Sequence, residues 1–162
     1  MNSTRLCSLL LVSILAIGCN AFKSEAAKRE ARKRALLDKP WFQNLMHKAE
    51  EDLEKVFIAA GFERNNPNVK QDVQSEIKSQ LEYLIKLDND EKAMRVYPSY
   101  RMDIKDKTEK GFKELIRKSQ GRFVNVDQNA LRSYADKMEK LAEIMAKAHN
   151  NEDLFFYEQR GH

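Results

Sequence analysis

From Trp41 to Ala60 the apolar residues return every three or four positions. Trp41, Phe42, Leu45, Met46, Ala49, Leu53, Val56, Phe57 and Ala60 therefore share one face of a helix. The pattern recurs twice. Val69, Val73, Ile77, Leu81, Leu84 and Ile85 form a narrow stripe on a charged helix. Leu131, Tyr134, Ala135, Met138, Leu141, Ala142, Met145 and Ala148 form a broader one. No segment keeps the apolar–polar alternation of a half-buried strand. The chain is thereby restricted to packed helices.

The punctuation agrees with this reading. Asp38 can cap the first helix, with Pro40 in its opening turn, where a missing N–H costs little. Gly61 supplies a left-handed stop. Asn66 and Pro67 open the second helix, which ends near Asp88-Asn89-Asp90, and Asp127 caps the last. The third region is less regular. Glu91 to Tyr97 predicts a short helix that Pro98 interrupts. Ser99 or Asp103 restarts it, with Phe112, Leu115 and Ile116 apolar and Gly121 at its end. Gly111 inside that helix costs ~1 kcal/mol relative to Ala, which close packing against a neighbour would explain. Asn150-Asn151 breaks the last helix before Leu154-Phe155-Phe156-Tyr157. The expected fold is all-α, a mainly antiparallel bundle of about four helices over residues 39–162.

The N-terminus has a different character. Arg5 is the only charge before a thirteen-residue run, Leu6 to Gly18, that is apolar except for Cys7 and two serines. At ~1.5 Å per residue it is too short for a ~30 Å hydrocarbon core, and it reads as an export signal. Gly18-Cys19 has the form of a lipobox, with the cut before Cys19 and lipid on its thiol. Residues 1–18 are then the signal, and residues 19–38 a lipidated cysteine and tether. Cys19-x-Ala21 is also a small-x-small site, which would release a soluble protein beginning at Phe22. Either cut leaves no free thiol and no disulfide in the mature chain.

Charge is concentrated in the same region. Between Lys23 and Lys39 stand seven basic residues against Glu25, Glu30 and Asp38, whereas residues 40–162 are nearly neutral. The segment reads as a solvated, Ala-rich helical spacer, or as a polybasic stretch held against anionic lipid at ~1 kcal/mol per cation. A neutral globular part that is exported argues against nucleic acid as a partner.

The residues suggest no catalysis and no cofactor. The di-iron pattern of Glu-x-x-His on two helices is absent, and His47 with Glu51 reads as a surface pair rather than a metal site. There is no G-x-S-x-G elbow, P-loop or Rossmann glycine pattern. Binding is the better expectation. Tyr97, Tyr100 and Arg101 flank the predicted break, and Tyr and Arg are enriched at binding hot spots. Phe155, Phe156 and Tyr157 form a second candidate, since consecutive apolar residues cannot all face one core. Met94, Met102, Met138 and Met145 are a third feature, more often core filler than binding surface.

A lipobox-like Gly18-Cys19, a charged segment from Lys23 and a small Lys/Glu/Asn-rich helical domain resemble the surface lipoproteins of Borrelia spirochaetes. In size the chain is similar to the factor H-binding lipoproteins of relapsing-fever species. The resemblance implies lipid-anchored display on the outer surface and capture of a host serum protein, the complement regulator factor H in the first place. It carries over no ligand contact. Two other readings stand beside it: a soluble secreted eukaryotic protein, such as an apolar-ligand carrier or a parasite antigen, and a structural envelope lipoprotein.

Overall fold

A computed structural model describes residues 24–118 and 126–160. Residues 1–23, with the export-type run and Cys19, lie outside the described residues. So do residues 119–125, with Gly121, and the side chains of Leu115 and Ile116. The described residues form six helices and no strand: α1 (Glu25–Ala35), α2 (Pro40–Ala59), α3 (Pro67–Lys86), α4 (Asp90–Lys118), α5 (Gln128–His149) and the short α6 (Phe155–Arg160). A 3-10 turn, Leu36–Asp38, joins α1 to α2.

The broad apolar face of α5 makes it the hub. Leu131, Tyr134, Met138, Leu141, Ala142 and Met145 are fully buried, and α5 packs chiefly against α2 and α4, with α1 along its C-terminal half. Phe42, Leu53 and Val56 of α2 and Ile77, Leu81 and Leu84 of α3 complete the core.

Local chemistry sets most of the helix ends. Asn66 accepts from Asn68 N, Asn89 from Lys92 N, and Asp127 from Asn129 N and Ala130 N. Gly61 takes φ +94°, which brings Phe62 N to Phe57 O and Gly61 N to Ile58 O. This is a Schellman stop, and the Phe57 and Phe62 rings meet edge to face at 5.4 Å as its apolar contact. Asn151, at φ 58°, ends α5 in the same way.

Four expectations change. Asp38 does not cap α2: it lies in the 3-10 turn, Lys39 is the capping position, and Pro40 opens the helix. Pro98 does not interrupt α4, which runs unbroken for 29 residues. The proline and Met94 both lie on the exposed face, where the carbonyl that loses its partner is within reach of solvent. Next to it, the Ser99 hydroxyl donates to Arg95 O at 3.0 Å. Gly111 is not closely packed, since a Cβ there would meet nothing within 4 Å. Finally, residues 25–35 are no solvated tether. They fold as α1 and dock on the bundle, for reasons that lie in its cations.

Candidate functional site

On α1, Arg29, Arg32 and Lys33 are one helical turn or less apart, and all three point at the ends of other helices. Lys33 is fully buried, its ammonium 3.0 Å from Leu84 O and 2.7 Å from Leu87 O at the C-terminus of α3. Arg32 donates to Ala148 O and His149 O at the C-terminus of α5. Arg29 pairs with Asp90 at 2.7 Å, and His149 Nε2 lies 2.8 Å from the same carboxylate oxygen. Terminal carbonyls lack intrahelical donors and carry the negative end of the helix dipole, so cations seat there naturally. Arg34 adds a two-pronged contact with Glu82. Burial pushes the Lys33 ammonium down to about 8, against the opposing pull of Asp88 and Glu30. Within α1 itself Lys33 is the only buried residue, so polar contacts dominate its docking. A visible signal in the sequence was the spacing of residues 29, 32 and 33 on an Ala-rich helix; the basic run read there only as charge.

The Tyr97-to-Arg101 segment is divided by the fold. Tyr97 and Tyr100 are buried, their hydroxyls donating to Leu84 O at 3.3 Å and Gln80 Oε1 at 2.9 Å. Burial raises both phenols well above the usual tyrosine range. Arg101 is exposed and held by Asp136 and Glu139 of α5. The three side chains therefore do not form one surface: the two tyrosines are turned into the core and only Arg101 reaches solvent.

The tail is divided differently. Tyr157 is buried, stacked on Trp41 with centroids 6.1 Å apart, its hydroxyl on Glu143 and its ring under the Lys140 ammonium at 4.9 Å. Lys39 pairs with Glu158 at 2.9 Å. These contacts hold α6 against α2 and α5 while Phe155 and Phe156 remain 58% and 52% exposed. Of the methionines, Met138 and Met145 are core, and Met94 and Met102 stand out at 79% and 70% exposure.

The cluster nearest to catalytic geometry lies between α2 and α5. Asp52, buried, accepts from Ser133 Oγ at 2.6 Å, from Lys55 at 2.9 Å and from Lys137, whose ammonium is also 2.8 Å from Ser133 Oγ. Burial alone would raise the Asp52 carboxyl, but the three donors outweigh it and the net shift is downward. Asp52 and Lys55 on α2 are thereby joined to Ser133 and Lys137 on α5. The arrangement fits an inter-helix lock. His47 is exposed, with Glu50 and Glu51 each 3.5 Å away. Among the described residues no three His, Cys, Asp or Glu side chains gather as metal ligands. No described helix is long and apolar enough to cross a membrane. No protein-family model, curated protein or solved structure matches this chain.

Proposed function

We propose that this chain is an exported, lipid-anchored helical protein that captures a partner protein at the cell surface, with a complement regulator such as factor H the first partner to test. The observation that carries the reading is the pair Phe155 and Phe156. Both rings are more than half exposed, Phe156 with one edge on Tyr157 at 5.7 Å, on a helix that Tyr157, Lys39 and Glu143 pin in place. Aromatic side chains held rigidly outward lose little entropy on binding and supply large contact area. The run Leu6–Gly18 ending at Cys19 supports export and anchoring. Of Tyr97, Tyr100 and Arg101 only Arg101 remains accessible, and its side chain already holds Asp136.

The test is a serum pull-down with the purified full chain, followed by affinity measurement on Phe155→Ser and Phe156→Ser. Loss of a hot-spot aromatic costs at least ~2 kcal/mol, about thirtyfold in Kd. Recovery of no serum protein, or affinity unchanged in both variants, would reject the reading. Lipid mass on Cys19 in the protein isolated from its own cells tests the anchor separately.

A further inference from the structure

The outward face of α4 carries an apolar strip on a helix that is otherwise charged. Met94, Pro98 and Met102 follow one another at four-residue steps, and all three are exposed. The residues that seat α4 in the core, Ala93, Tyr97, Tyr100 and Ile104, lie on its other side. A proline inside a helix is costly, and this one removes the N–H that Met94 O would accept. A carbonyl without its helical donor thus lies on the same strip.

The two ends of the strip differ. At one end the Met94 side chain projects into solvent. At the other, Met102 borders a groove of about 290 Å³, with Ala135 of α5 and Lys105 also in its lining. Knob and hole share one face, on either side of Pro98. The flanking charges are placed in the same way, Glu91 seven residues before Pro98 and Lys105 seven after it. Glu91 pairs with Arg95 of its own helix at 2.6 Å, a largely exposed contact that holds it weakly.

We propose that this face binds a second copy of the chain across a two-fold axis at Pro98, with the two α4 helices antiparallel. Such an axis sets Met94 of each copy against Met102 of the other, where the groove beside Ala135 receives it. Glu91 falls opposite Lys105 twice over, and Lys105 of the second copy also comes within reach of the vacated Met94 carbonyl. Arg95 falls opposite Arg101, whose charge Asp136 and Glu139 already balance. A patch that holds both knob and hole is what a two-fold interface requires. Ridges of four-residue steps cross at about −50° when two helices pack. The face is narrower than the ~800 Å² per partner of a standard interface, so a Kd of roughly 10–500 µM is expected. The inference rests on α4 alone, and neither export nor Phe155 and Phe156 enters it.

Sedimentation equilibrium of the full chain in reductant, from about 5 µM to 1 mM, should show a reversible monomer–dimer equilibrium. Met94→Glu combined with Met102→Glu should leave the chain monomeric with its melting temperature at low concentration unchanged. Glu91→Lys and Lys105→Glu should each weaken the dimer about tenfold, the scale of two exposed charge pairs reversed, and the two together should restore it. Should the glutamates at 94 and 102 disturb the fold, this charge exchange tests the same register. Phe155→Ser should leave the equilibrium unmoved. A chain monomeric throughout, a dimer that survives both glutamates, a charge exchange that fails to restore association, or loss of the dimer in Phe155→Ser would overturn the proposal.

Discussion

Lys33 and Tyr97 donate to the same atom, the carbonyl oxygen of Leu84, at 3.0 and 3.3 Å. One acceptor near the end of α3 thus ties α1 and α4 to it. The two donors titrate in opposite senses. Burial lowers the Lys33 ammonium and raises the Tyr97 phenol.

A pH dependence follows from Lys33. Its folded value is about 8 against 10.5 when free, so the unfolded chain binds more protons between those values. Stability should therefore rise with pH from 8 towards 10, by about 1–2 kcal/mol. Above ~10 the exposed tyrosines of the unfolded chain ionise while the buried ones resist, and stability should fall. Urea titrations at spaced pH values should show this maximum. Lys33→Met should flatten the rising limb, and a wild-type curve that is level from pH 8 to 10 would contradict the buried ammonium.

Asp52 predicts a rise of stability with pH in the acid range. Its carboxyl is lowered despite burial, because Lys137, Ser133 and Lys55 hydrogen-bond to it. The stabilisation it contributes is complete above the ordinary carboxylate range and disappears as pH falls through its folded value. Asp52→Asn should cost ~1–3 kcal/mol at neutral pH, with less loss at low pH. Equal costs at pH 7 and pH 3 would exclude the lock as ionic.

Leu53, Leu81 and Leu141 lie on three different helices, each at most 2% exposed. Truncation to Ala should cost ~2–5 kcal/mol at each position. A substitution that leaves the midpoint of denaturation unmoved would show that helix to be detached from the core.

Pro98 and Gly111 should behave in reverse. Both sit on exposed parts of α4, where alanine has room. Gly111→Ala should stabilise by ~0.5–1 kcal/mol. Pro98→Ala should stabilise by up to ~3 kcal/mol, less whatever solvent already recovers at the Met94 carbonyl. Thermal denaturation of the two variants decides this, and lower melting in either would reveal a packing role that α4 does not display.

The pattern of apolar spacing made α2, α3 and α5 legible in the sequence, because each buries one continuous face. Asn66, Gly61 and Asp127 were legible for the same local reason: caps and stops depend on neighbours a few residues away. Pro98 misled because its cost depends on which face of α4 it occupies, and that is set by the tertiary fold. Lys33 was illegible for a related reason. A lysine reads as solvated, and only the docking of α1 on the end of α3 supplies the carbonyls that let it be buried. At the tail, spacing correctly suggested that Leu154 to Tyr157 could not all face inward. It could not say that Tyr157 would be the residue to stack on Trp41 and leave Phe155 and Phe156 outside.

The carbonyl clamp of α1 also has a kinetic consequence. Its acceptors, Leu84 and Leu87 on one side and Ala148 and His149 on the other, come together only when α3 and α5 have each formed and stopped in the right place. Helix α1 is therefore expected to dock late, after the rate-limiting step of folding. Interactions made that late act on the escape rate. Arg32→Ala should accelerate unfolding while refolding keeps its speed, so the basic helix would govern how long each folded molecule survives.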